Sequence, residues 1–291
     1  MPDRLDRAAQ FRSKGAARYA CIVHVVAITA LATSIDSEAP ALAPVLGLTA
    51  YETRLLLTAG RPTLIRRADE STALDLAAKL RGRGHDVVAF DESDAIPSGG
   101  MIDMRRLRVG QSSLSLDDRA GEALPFDDVL ALIVARHRHR TGTSTSTSER
   151  KFSASRALIS GGLVMTTMVK GETQTSTDRS EHVLYVFRRS GATPWILREQ
   201  GSHWSGLGRP PAPSSIENFR LAVGILRERA PRAVYDDRLV SRKTSPERTE
   251  TAGVAMARTV TTSSEGGIDL LAHVLALWVA GGARDEAAFH R

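Results

Sequence analysis

Between Gly47 and Phe90, in GLTAYETRLLLTAGRPTLIRRADESTALDLAAKLRGRGHDVVAF, the hydrophobic period alternates between helix and strand, and stop signals separate each change. This stretch most narrows the folds open to the chain. Thr49 can cap a helix, and Glu52 three residues later completes a capping box. That helix runs through YETRLLLTAG and stops at Gly60 and Pro62. TLIRRA then reads as a short strand. STALDLAAKLRGRG follows as a second helix, with Ala73, Leu74, Ala77 and Leu80 on one face. Gly84 serves as its C-cap, and DVVAF is the returning strand.

Upstream, the run Tyr19–Ala32 is apolar and reads as a buried strand. A secretory signal is the competing reading, since basic residues precede the run and A-L-A closes it. His24 within it, and Asp3 and Asp6 ahead of it, weigh against that alternative. The run falls short of the roughly 20 apolar residues a bilayer span needs. Residues 1–18 read as a loose arm, and Thr33–Pro44, with its prolines, as a loop entering a short helix. Residues 19–93 therefore form a small α/β module of order strand–helix–strand–helix–strand.

The second half of that module resembles the C-terminal domain of the bacterial ribosomal stalk protein, a fold shared with the adaptor of the Clp protease. The matching residues are Gly47, Leu48, Glu52, Arg54, Pro62, Ala73, Leu80, Gly84 and Val87. The family's run of lysines is absent; only Arg54 and Lys79 stand where basic residues are expected, so factor binding is not carried over. The resemblance implies a module that presents helices to other proteins, with Arg54 and Lys79 as candidate contacts.

Beyond the turn-rich SDAIPSGG the period moves toward two. MRRLRV, SLSLD, GEALPF, DVLALIVARH, GLVMTTMVK, EHVLYVFRR and TPWILRE read as strands, with Val183, Tyr185 and Phe187 on one face. A helix over Ser215–Arg229 follows, capped by Ser214 and Glu217 and striped by Ile216, Phe219, Val223 and Leu226. Residues 101–235 thus form a strand-rich domain closed by a helix. It is similar to the pleckstrin-homology-like barrel, in GEALPFDDVLAL as well as in order. The fold class is α+β: a small α/β module, then a barrel or sheet with a C-terminal helix. Arg136–Arg150 reads as a polar insertion, residues 241–267 as a disordered linker, and residues 268–282 as an apolar terminal helix. That helix is apolar nearly all round, so it must be buried in the protein, in a partner or second copy, or at a membrane surface.

The net charge is +6, carried mostly by arginine as in bacterial-type compositions, and a basic balance favours anionic partners. No aromatic residues interleave the basic ones, so nucleic acid is not the expected partner. The single cysteine, Cys21, can form no internal disulfide, which suits a cytoplasmic protein. No phosphate loop, nucleophile elbow or H-E-x-x-H occurs. His137 and His139 would point the same way on a strand, but Arg136, Arg138 and Arg140 around them oppose a cation, so no metal is expected. The pairs Asp117–Asp118, Asp127–Asp128 and Asp236–Asp237 read as turns and salt bridges. The loop Arg198–Gly208 is the most site-like, offering Glu199, His203 and Trp204 for binding. The expected function is a non-enzymatic protein–protein interaction or regulatory role, with no catalytic residues and no cofactor. An anion- or lipid-binding peripheral protein and an unrecognised enzyme are the alternatives.

Overall fold

The computed structural model describes residues 22–119, 121–152, 166–242, 247–252 and 257–282. Its layers follow from how side chains alternate along the strands. The first body holds β1 (His24–Ala30), α1 (Ile35–Leu46), α2 (Ala50–Thr58), β2 (Thr63–Ala68), α3 (Glu70–Gly82) and β3 (Asp86–Asp91). The strands form an antiparallel sheet of order β2-β1-β3. Val26 and Ile28 of β1 face Ala39, Leu42, Leu57, Ala73 and Leu80 of the helices. Ala27 and Val88 face the opposite way.

The caps read from the sequence are present. Glu52 N–H donates to Thr49 Oγ1 at 3.2 Å, and Thr49 N–H donates back to Glu52 Oε2 at 2.8 Å. Gly84 has φ +87°, the left-handed conformation that glycine adopts without a Cβ penalty. One element departs from expectation. Thr33–Pro44 is mostly helix: α1 starts after Ser34, which accepts from Ser37 N–H, and carries Pro40 and Pro44 inside it. Each interior proline opposes a helix by about 3 kcal/mol. Burial of Ala39, Leu42, Ala43 and Leu46 offsets this, a term that only packing supplies.

After β4 (Ile102–Asp103), a small antiparallel sheet forms from β5 (Leu107–Val109), β6 (Ser113–Leu116) and β7 (Ala123–Pro125). The main sheet is built on β8 (Val129–Phe152) and β9 (Thr166–Arg188), paired antiparallel over their whole length. It continues through β10 (Trp195–Arg198) to β4, which pairs parallel with β10. On the other side, β8 takes two neighbours in succession. β11 (Val234–Leu239) runs parallel to its first half, and β13 (Ala257–Ser263), itself paired with β12 (Glu247–Ala252), lies along its second half.

Two expectations are corrected here. Arg136–Arg150 is no insertion but the continuation of β8. Where a linker is expected at residues 241–267, the described residues instead hold β12, β13 and the first turn of the terminal helix. Polar, Thr/Ser-rich segments suggest loops when burial is the only criterion. Threonine nevertheless favours strands, and these segments pair with one another. The arm at residues 1–18 and part of the expected strand GLVMTTMVK lie outside the described residues.

α4 (Ser215–Arg229) and the small sheet cover one face of the main sheet, against Leu132, Val134, Leu184, Val186, Trp195 and Leu197. α5 (Glu265–Ala280) covers the other, against Ala131, Ile133, Ala135, Val183, Tyr185 and Phe187. Its far side meets Ala27 and Val88 of the first sheet, so α5 lies between two sheets and joins both halves in a shared core. This is why the terminal helix is apolar all round. Of the three places open to this helix, the protein's own interior is the one observed: Ile268 to Ala276 are all buried there, and Leu277 is its one large exposed apolar side chain. Among the described residues, no helix is long and apolar enough to cross a membrane.

Candidate functional site

Three polar side chains interrupt the apolar surface of α5, at spacings of four: Glu265, Asp269 and His273. Residues four apart share a helix face, and this face meets β8, β9 and the connection ahead of β4. Strand alternation supplies the opposing groups. His137 and His139 of β8 point the same way, with ring centroids 6.4 Å apart, and Tyr185 of β9 lies beside His137.

Asp269 is the hub and is buried. Its Oδ2 accepts from Ser98 N–H at 2.7 Å, and its Oδ1 accepts from Tyr185 Oη–H at 2.6 Å and from the Ser98 hydroxyl. Tyr185 Oη also sits 2.6 Å from His137 Nε2. The phenol spends its one proton on Asp269, so its oxygen accepts from His137 and the Nε2 of that ring carries hydrogen. Burial alone would raise the Asp269 pKa, but the nearby His137 ring and the donors Ser98 and Tyr185 outweigh it and hold the carboxyl below its ordinary value. Burial, with Asp269 next in weight, pushes the Tyr185 phenol well above its usual range.

At the N-terminus of α5, Glu265 Oε1 accepts from Arg198 Nη2 at 3.0 Å, while Arg198 Nη1 donates to Glu181 at 3.0 Å. Glu265 Oε1 also lies 4.0 Å from His137 Nδ1, and Oε2 lies 3.9 Å from His139 Nε2. Beside this end of the network a groove of about 490 Å³ opens, lined by His139, Thr141, Arg179, Glu181, Gln200 and Thr261 among others.

At the other end, His273 Nδ1 donates to the Asp269 backbone carbonyl at 3.0 Å, and its Nε2 accepts from Ile96 N–H at 3.0 Å. The spacing of Asp269 and His273 suggests a side-chain pair; the observed partner is the carbonyl. Burial lowers the His273 pKa below 6.5, outweighing the opposite pull of Asp269, so the ring is held neutral. The unfolded chain therefore takes up a proton on this ring more readily than the folded one. Stability from this group is complete above pH 6.5 and drains as pH falls through the folded-state pKa. We expect the urea midpoint to drop on acidification from pH 6.5, and a His273→Gln variant to show a shallower dependence over that window.

No family model, curated protein or solved structure matches this chain. The residues singled out from the sequence do not converge. Glu199 Oε2 accepts from His182 N–H at 3.0 Å and sits 2.8 Å from His182 Nδ1, on the sheet face away from α5. Its neighbour Arg198 is the residue that faces the network. His203 is exposed, its N–H donates to Arg105 O at 2.7 Å, and it lines a separate recess with Arg106, Leu107, Asp117 and Ser205. Trp204 packs half-buried on the α4 side of the core. Arg54 pairs with Asp36 at 2.8 Å, and Lys79 with Asp75 at 2.6 Å, both on the helical surface of the first body. The Asp pairs do serve as turns and salt bridges: Asp117 binds Arg108, Asp128 binds Arg188 and Ser190, and Asp236 binds Arg238. What sequence reading missed is the convergence of Ser98, His137, Tyr185 and Asp269. The polar stripe within an apolar helix was its available signal.

Proposed function

We propose that the protein acts by binding another protein, through the outer face of the helical layer in its first body. One observation carries this reading. Tyr51 and Leu55 lie four apart on one face of α2, with Leu48 immediately ahead of its N-cap, and the three are 70%, 53% and 39% exposed. Single exposed apolar side chains are ordinary, but aligned ones including a tyrosine are what protein interfaces use. The opposite face of this body is already covered by α5, which among the described residues leaves the helices as its free surface. The occupant we favour is an apolar segment of a partner protein. The Arg54–Asp36 pair beside the stripe offers both charge signs to a polar rim. The resemblance to stalk and adaptor modules, which work by presenting helices, supports the same reading.

The test is site-specific photo-crosslinking in the native cell from positions 51 and 55, with exposed Arg119 as the control site. A discrete adduct from both positions, abolished by Tyr51→Asp or Leu55→Asp in the same chain, is expected. Hot-spot truncations of this kind cost about 2 kcal/mol or more of binding. They should change stability by less than about 0.5 kcal/mol, because both side chains face water. An adduct with a second copy would reassign the stripe to self-association. Labelling no stronger than from position 119 would overturn the proposal.

A further inference from the structure

We infer that His137, His139 and Glu265 form a binding site for a first-row divalent cation of borderline hardness, zinc foremost. This goes beyond the interaction reading and does not depend on it. One ligand atom from each residue lies within 4.8 Å of the others. Tetrahedral zinc with bonds near 2.0–2.2 Å sets its ligands about 3.3 Å apart, so the three side chains close by under about 1 Å each. Two imidazoles and one carboxylate suit zinc, whereas calcium and magnesium take oxygen ligands.

A second, independent observation points to a ligand. His137 is fully buried, yet its Nδ1 has no hydrogen-bond partner among the described residues. The same ring donates through Nε2 to Tyr185, whose own proton goes to Asp269. With hydrogen on Nε2, Nδ1 is the atom left to ligate, and it faces Glu265 Oε1 at 4.0 Å. Metal-binding histidines are oriented in this way, by an outer hydrogen bond that fixes the ring and raises its basicity.

The arginines that flank the pair in sequence lie elsewhere in the fold. Strand alternation sends Arg136 and Arg138 to the opposite face of β8, where Arg136 Nη2 donates to Ser180 Oγ at 2.9 Å. Arg198 holds Glu265 by Oε1, leaving Oε2 as the oxygen nearest His139. His139 is 34% exposed and lines the groove, which gives an ion a route of entry.

The experiment uses the full chain, stripped with chelator and titrated with zinc against a chromophoric competitor at neutral pH, with bound metal counted by mass spectrometry. We expect one equivalent bound and a thermal midpoint that rises with free zinc. His139→Ala and Glu265→Gln should each weaken binding at least about tenfold, and Tyr185→Phe, which touches no metal, about tenfold through His137. Circular dichroism of each variant separates lost ligation from lost fold, and His139→Ala, being partly exposed, should fold normally. Absence of zinc binding by the wild-type chain would overturn the assignment. So would unchanged affinity in folded His139→Ala and Glu265→Gln.

Discussion

A chain ending before Glu265 is expected to lose its cooperative unfolding transition altogether. α5 buries six large apolar side chains, Ile268, Leu270, Leu271, Val274, Leu275 and Trp278. At about 1.5–3 kcal/mol each, their burial contributes on the order of 10 kcal/mol, comparable with the whole net stability of a typical domain. Removal also bares two sheet faces, Ala27 and Val88 on one side and Ile133, Val183, Tyr185 and Phe187 on the other. A face of that kind cannot stay in water without rearranging or aggregating. Urea denaturation followed by circular dichroism checks this. A truncated chain that unfolds at the wild-type midpoint with the wild-type slope would show that α5 is an appendage rather than the middle of the core.

Replacing Asp269 by alanine is expected to destabilise the protein by about 3–5 kcal/mol. Few other single substitutions should cost as much. Three donors converge on this carboxylate: Ser98 N–H, the Ser98 hydroxyl and Tyr185 Oη–H. Alanine leaves both Ser98 donors buried and unsatisfied and takes the acceptor from the Tyr185 proton, at about 1–3 kcal/mol per group. Removing a single donor is milder: Ser98→Ala or Tyr185→Phe should each cost about 1–2 kcal/mol, and the pair should not add, because both act through the same oxygen. The acid side follows with a defined sign. The folded carboxyl titrates below its ordinary value, so its contribution is complete above that value, 3.8, and is lost as pH falls through the folded-state pKa. The Asp269→Ala variant should lack that part of the acid limb. Equilibrium unfolding across pH measures both effects, and a loss under about 1 kcal/mol would mean that the network relaxes around the gap.

The two predictions concern different kinds of information. The first rests on a helix that was plain in the sequence: a run apolar on every side has no place in water, so its burial followed from residue types. Where it is buried did not follow. Only the alternation of Ala27 against Val26, and of Ile133 against Leu132, shows that two sheets each turn one face toward it. The second rests on residues 98, 137, 185 and 269, which lie on four separate elements and share no spacing. His137 was visible as half of an H-x-H pair, but its arginine neighbours read as a positive field around it until the strand placed them on the opposite face. Glu199 and His203 read as one loop site for the converse reason. Nearness along the chain suggested a cluster, whereas the end of β10 sends them to different surfaces.

Local chemistry by itself determined the caps at Thr49 and Gly84, the two inner helices of the first body, the helix Ser215–Arg229 and the short apolar strands. Each is governed by groups within a few residues of one another, where steric and hydrogen-bonding preferences act without help. Tertiary structure alone decided that a proline-bearing segment is helical, that the Thr/Ser-rich stretches of β8, β12 and β13 are strands, and that one carboxylate gathers a serine, a tyrosine and a histidine. Those outcomes depend on burial and pairing between segments distant in the chain. The free energy of such contacts appears only once the partners have met.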